Sequence, residues 1–412
     1  MRVVADPVEL AGRALATATP EAIARADWGV PLLARLTTGI ATGRTSGPSA
    51  STTDTDTRPV GATVDEDGPQ VEATVRRTVL AWVAQRRHGV SAARLFGGGL
   101  ASLLTGLTHA CAVEPRLRTV ADLCRAQLVA WCRHRSSPDG PLAVDYDLVS
   151  GVSGAVLALT TTPGCRPEHL RPGLGYLLTL CAGPDLAGLR HSSRESDPRL
   201  RWNIGQLNQG LAHGVPGVLA ALVAAHPLVS GAERDELSGA IGRLAGHLCR
   251  SAFRDERGVL TWRRGSTEES ADPRRQAWCY GAPGVAWQLA EAGRVLGDPA
   301  VADLARESMA SLCAVWDDDY YLRAESVTAQ LTICHGAPGI LAVARAFADH
   351  LGLSAARTLE RHLRDQVAQR LTRWYDSTSA AATMLDGTAG TLSVLLTDDP
   401  ATRAWLAPLA LR

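Results

Sequence analysis

The chain has 412 residues, enough for one large domain or two ordinary ones, with 42 acidic and 42 basic side chains. That balance gives no electrostatic case for nucleic acid or for a charged membrane surface, and no apolar run reaches the roughly 18 residues a membrane span needs. Asp6 and Glu9 interrupt the N-terminal stretch, so no signal peptide is expected; nine cysteines without framework spacing fit a reducing cytoplasm.

In chain order, the first expected element is a weak glycine turn at Gly39-Ile40-Ala41-Thr42. Residues 37–71 are rich in Ser, Thr, Gly and Asp and poor in apolar side chains. They are expected to be flexible, in the place where a first inner helix should lie. An amphipathic helix over 71–87 precedes a second weak turn, Gly98-Gly99-Leu100-Ala101, and another helix is predicted over 117–135. Strong Gly-x-x-Gly turns follow at Gly151-Val152-Ser153-Gly154 and Gly214-Val215-Pro216-Gly217. A helix over 232–253 leads to Trp278-Cys279-Tyr280-Gly281-Ala282-Pro283-Gly284. A helix over 299–316 leads to Cys334-His335-Gly336-Ala337-Pro338-Gly339, and one over 354–374 to Gly387-Thr388-Ala389-Gly390.

The first glycines recur every 51 to 67 residues, and seven such units fill the chain, the signature of a repeat architecture. Each unit reads as an exposed amphipathic helix, a loop, a glycine turn and an apolar, alanine-rich inner helix. Seven pairs closing on themselves make an α/α toroid, with the turns gathered at one end of the inner ring. The expected fold is therefore all-α, a single domain over 1–412. Three Phe, six Tyr and few β-branched alternations leave little strand signal. Cys111, Cys124, Cys132, Cys165, Cys181, Cys249 and Cys313 are expected as buried thiols in helices, and the ten tryptophans as packing residues at outer-helix ends.

The turns at 279 and 334 carry the chemistry. Two thiols and an imidazole, Cys279, Cys334 and His335, form the ligand set of a catalytic zinc site: three protein ligands and a fourth position for water or substrate. The thiols are 55 residues apart, so the fold must bring them together. The bland alternative is two buried core thiols and a turn histidine. It would hold for a lone cysteine, but not for three ligands on matching turns.

These motifs resemble the lanthionine synthetase C-like family, the lantibiotic cyclases, over essentially the whole chain. The most specific matches are Trp278-Cys279-Tyr280-Gly281 and Cys334-His335-Gly336. Leu211-Ala212-His213-Gly214, Met384-Leu385-Asp386-Gly387-Thr388-Ala389-Gly390 and Tyr146-Asp147-Leu148-Val149-Ser150-Gly151 support them. The resemblance implies a seven-fold α/α toroid holding one zinc ion. It implies an enzyme that joins cysteine thiols of a dehydrated precursor peptide to dehydrated serine or threonine, and whose partner is a separate dehydratase. It makes Cys279, Cys334 and His335 the zinc ligands and places His213, Asp147, Arg275 and Tyr280 at the other active-site positions. Departures are the absent second glycine in the first two repeats, Gln276 where the family often has an acid, and a short stretch over 184–203 where many relatives insert a substrate-binding subdomain.

Each role has a plainer counterpart. Thiolate attack on a dehydroamino acid creates an enolate, and His213 can deliver the proton it needs at neutral pH, or merely hydrogen-bond its own turn. Asp147 either orients His213, accepts a substrate proton, or only caps a helix. Arg275 stabilises the enolate oxygen or lies on the surface. Tyr280 donates a hydrogen bond or packs against the turn. Asp386 reads as a helix cap rather than a fourth ligand. Three other functions compete with cyclisation: addition of a small thiol such as glutathione to dehydrated residues, prenyl transfer, and a non-catalytic peptide scaffold. Prenyl transfer expects an Asp-Cys-His ligand set, and the intact triad weighs against a scaffold.

Overall fold

A computed structural model describes residues 6–41, 68–86, 92–136, 140–196, 198, 201–266, 275–323, 325–375, 382–398 and 400–411. Fourteen helices form two concentric rings. The outer helices are α1 (Pro7–Ala16), α3 (Gly68–Ala84), α5 (Arg118–Arg133), α7 (Pro167–Leu180), α9 (Ala232–Ser251), α11 (Pro299–Ala314) and α13 (Ser354–Tyr375). The inner helices are α2 (Gly29–Ala41), α4 (Leu100–Val113), α6 (Val152–Thr160), α8 (Val215–Ala225), α10 (Ala282–Leu296), α12 (Ala337–Leu351) and α14 (Thr388–Leu396). Each inner helix packs on the next, and α14 packs back on α2, so the ring closes.

Side-chain pattern explains the layering. Outer helix α9 buries Leu237, Ala240, Ile241, Leu244, Ala245 and Leu248, one face at helical spacing. Inner helix α8 buries every residue except Ala224, as a helix apolar all round must. Proline at the first position starts α1 and α11, capped by Asp6 and Asp298, and left-handed Gly297 and Gly352 end α10 and α12.

The second glycine of each strong turn is required by contact. A Cβ at Gly154, Gly217, Gly284, Gly339 or Gly390 would run into the carbonyl oxygen six residues earlier. It would also press on a side chain of the preceding repeat: at Gly339 the Cβ of Trp278 lies 2.9 Å away, at Gly284 that of Leu211 lies 3.2 Å away. Glycine thus lets each of these five inner helices start directly beneath its own turn and against its neighbour's.

The first repeat differs from expectation. Gly39 lies inside α2 rather than in a turn, and the first inner helix is α2, preceded by Asp27-Trp28. Residues 37–41 complete that helix and 68–71 begin α3; the rest of the stretch expected to be flexible lies outside the described residues. Outer helices α1 and α7 were not anticipated. The short stretch over 184–203 holds two 3₁₀ turns, at Ala187–Leu189 and Arg201–Asn203, in place of a subdomain.

Among the described residues the only sheet is a two-stranded hairpin, β1 (Phe253–Arg254) with β2 (Leu260–Thr261). Cys124, Cys132 and Cys181 are buried, and burial pushes their thiols up to about 12. Cys111, Cys165, Cys249 and Cys313 are only partly buried, and Cys165 and Cys181 lie outside the helices, which corrects the expectation for them. Trp278 and Trp287 belong to the inner ring, not to outer-helix ends.

Candidate metal and catalytic centre

Six of the seven inner helices start from a glycine N-cap and α2 follows Asp27-Trp28, and hydrogen bonds stitch these neighbouring starts together at one end of the ring. Trp28 Nε1 donates to the Leu95 carbonyl (3.1 Å), Leu95 N to Val149 (2.9 Å) and Leu148 N to Ala212 (3.1 Å). Ala212 N donates to Cys279 (3.4 Å) and Cys334 N to Leu385 (3.1 Å). Met384 N closes the circle on Asp27 Oδ1 at 2.9 Å. At the remaining junction, between the turns of α10 and α12, Cys279 meets Cys334 and His335.

The ligand atoms of Cys279, Cys334 and His335 all lie within 4.8 Å of one another. Zinc–sulfur bonds of ~2.3 Å at a tetrahedral angle require thiolates about 3.8 Å apart, so these groups fit the ion with small adjustment. Cys279 is buried and the other two are half-buried, which leaves one side of the cluster approachable. The Cys334 thiol is held well above its ordinary value, first by its hydrogen bond with Cys279 and then by burial. The His335 imidazole is raised chiefly by its bond to Cys334. A divalent cation would oppose both effects, because it favours thiolate and neutral imidazole.

His213 Nδ1 lies 2.6 Å from Asp147 Oδ2. The other Asp147 oxygen accepts the N–H groups of Ser150 (2.6 Å) and Gly151 (2.9 Å). Asp147 therefore bonds both to the turn that precedes α6 and to His213. A carboxylate oxygen accepts, so Nδ1 carries the proton and Nε2 is the atom left to exchange one. His213 keeps 36% of its side chain exposed, whereas Asp147 keeps 1%.

Tyr280 packs against Gly210, where a Cβ would strike its ring. Its hydroxyl accepts from Asn208 Nδ2 at 3.1 Å. Burial raises the Tyr280 pKa, so the group is a neutral hydroxyl and a potential donor. Arg275 pairs with Glu325 at 2.8 Å; Glu325 raises and Arg275 lowers the His335 pKa, which places both beside the candidate metal ligands. Arg275, Tyr280, Gly281, Trp262 and Arg264 line a cleft of about 100 Å³, and Arg264 stacks over Trp202 at 4.2 Å.

Every expected site residue thus sits on a turn at this one end. Asp386 is exposed, and the N-cap of α14 is Gly387 with no side-chain cap, so the capping role read for Asp386 is not realised. Gln276, where an acid was expected, is buried; its Oε1 accepts the Ala282 N–H at 2.7 Å and so caps α10. Sequence reasoning missed Asn208 and Glu325. Asn208 stands six residues before Gly214, as Arg275 does before Gly281, so the repeat register could have found it. Glu325 has no comparable signal.

Residues 87–406, which hold all these groups, match the family described as lanthionine synthetase C-like protein. Among solved structures, nisin cyclase is similar, with a TM-score of 0.67, 18% sequence identity, and coverage of 84% of this chain and 88% of that chain. No curated protein sequence matches.

Proposed function

The chain belongs to the lanthionine synthetase C-like family, and from that premise we propose that it is a zinc-dependent peptide cyclase. The reaction is addition of a peptide cysteine thiol to dehydroalanine or dehydrobutyrine of a ribosomally made precursor, which gives a lanthionine or methyllanthionine thioether. A separate dehydratase supplies the substrate. The observation that carries the reading is the convergence of Cys279, Cys334 and His335 within 4.8 Å, with the Cys279 turn bonded directly to the His213 turn.

Zinc bound by Cys279, Cys334 and His335 would supply the acidity that turns the substrate thiol into a thiolate near neutral pH. The sulfur lone pair forms the new C–S bond at Cβ of the dehydro residue, and the C=C pair moves onto the carbonyl oxygen. Arg275, held by Glu325, and the neutral Tyr280 hydroxyl are donors for that developing enolate. His213, kept in one tautomer by Asp147, delivers a proton from Nε2 to Cα. The proton lost by the thiol balances the one gained at Cα, so peptide mass is unchanged.

The test is a count of free thiols, by alkylation and mass spectrometry, on a peptide holding one cysteine and one dehydroalanine. Zinc-loaded protein should consume the thiol faster than the no-enzyme background and give one stereoisomer. Cys334→Ala should fall to background. If an added small thiol is joined to the peptide in preference to its own cysteine, the protein is a thiol-adding relative. If neither adduct forms above background with zinc present, the cyclase reading fails.

A further inference from the structure

The 3₁₀ helix Pro400–Leu409 and the residues after it occupy the bore of the inner ring. Ala407, Ala410 and Leu411 share a cavity of about 200 Å³ with Leu157 of α6, Val223 of α8 and Arg294 of α10. These partners lie in the C-terminal halves of their helices, so the segment enters from the end opposite the glycine turns. Trp405, Leu406, Leu409 and Leu411 are buried there.

Two long-range hydrogen bonds tie the segment to α10 and to the turn before it. Trp278 Nε1 donates to the Leu409 carbonyl at 2.9 Å, and Gln288 Nε2 to the Ala410 carbonyl at 2.8 Å. Trp278 immediately precedes Cys279. Its indole is fully buried, and Phe96 meets it edge-on at 6.1 Å. A buried indole N–H needs an acceptor, and Leu409 supplies it. Ala410 has φ of 58°, a left-handed conformation that a side chain disfavours. It persists where its own carbonyl and that of Leu409 are both held.

We propose that residues 400–411 are a positioning element for the metal site: docked in the bore, they fix the Trp278–Cys279 turn where Cys279 faces Cys334 and His335. Docking and metal binding are then linked, and by reciprocity each strengthens the other. The proposal rests on the zinc reading above, in which Cys279 is a ligand. It concerns neither the substrate nor the proton donor.

The experiment uses the full chain and zinc alone as probe. Wild type, Trp278→Phe and Gln288→Met are titrated with zinc against a chromophoric chelator. Their Co2+ forms are compared by visible absorption, and amide exchange at Ala410 and Leu411 is followed with and without zinc. Trp278→Phe keeps an aromatic ring but loses the donor together with part of the ring volume; Gln288→Met removes a donor at similar volume. Trp278→Phe should weaken zinc about tenfold, the lower end of what supports of metal ligands contribute, and shift the cobalt bands. Gln288→Met should weaken zinc in the same direction. Zinc should slow exchange at Ala410 and Leu411 in wild type, and much less in Trp278→Phe. A Trp278→Phe protein of lower thermal stability but unchanged zinc affinity and cobalt spectrum would overturn the proposal, because the contact would then be structural only. Exchange indifferent to zinc in wild type would overturn it as well. Failure of wild type itself to bind zinc would instead remove the metal reading on which it stands.

Discussion

Asp147 separates two roles on two oxygens, and Asp147→Asn should split them. Asparagine keeps an oxygen to accept the Ser150 and Gly151 N–H groups, so the turn before α6 survives. The other side of the amide becomes an NH2, which cannot accept from His213 Nδ1 as the carboxylate oxygen does at 2.6 Å. The imidazole must then turn Nδ1 into an acceptor, and the protonated imidazole loses its counter-charge. A hydrogen bond to a charged group contributes about 1.5–3 kcal/mol. If that stabilisation is present when His213 delivers its proton, its loss slows ring closure by roughly 10- to 150-fold. Thiol counting on the dehydroalanine peptide, under saturating substrate, measures the rate, and elemental analysis should show unchanged zinc. Asp147→Ala removes both roles and should also cost about 0.5–2 kcal/mol of stability, as lost caps do. An Asn variant that cyclises within twofold of wild type with zinc in place would refute the orienting role and leave Asp147 as a helix cap.

Two further outcomes follow from the packing. Gly339→Ala sets a Cβ against the Ile333 carbonyl and 2.9 Å from Trp278 Cβ, so despite better helix propensity it should destabilise by about 1–3 kcal/mol and lower zinc content. Gly242→Ala in α9 meets nothing within 4 Å and should stabilise by about 1 kcal/mol in urea unfolding; equal effects of the two substitutions would refute the contact argument. Asp27, buried where the ring closes, has its pKa raised from 3.8 to about 6 chiefly by burial. The fold therefore favours its protonated form, and stability present below pH 3.8 is lost as pH rises through about 6, by up to about 3 kcal/mol. Asp27→Asn should flatten that part of the stability–pH curve, and an unchanged slope would show that Asp27 does not titrate there.

The candidate site and most of the inner ring share one sequence signal. Cys279, Cys334, His335 and His213 precede glycines that contact geometry forces, so turn geometry and the candidate metal ligands coincide in one short motif. The same glycines marked five of the seven inner helices. The first was misplaced because Trp28 and Pro31 stand where other turns have glycine, and the ring closes there through the Asp27 carboxylate instead. Gly39 satisfied a spacing but sits mid-helix. Outer helix α7, with Pro172 and two glycines inside it, carries breaker residues that local reading counts against a helix. Glu325 and residues 400–411 act only through partners far along the chain: Leu409 bonds to a residue 131 positions away. No periodicity encodes that.

The most direct test of the central claim is X-ray absorption at the zinc edge of wild-type protein, with and without the dehydroalanine peptide that carries a free cysteine. The account predicts about one zinc per chain, two sulfur ligands at ~2.3 Å from Cys279 and Cys334, and a rise to three sulfurs when the peptide saturates the site. Two sulfurs in both states, under conditions where the peptide is being cyclised, would contradict thiolate activation at this centre.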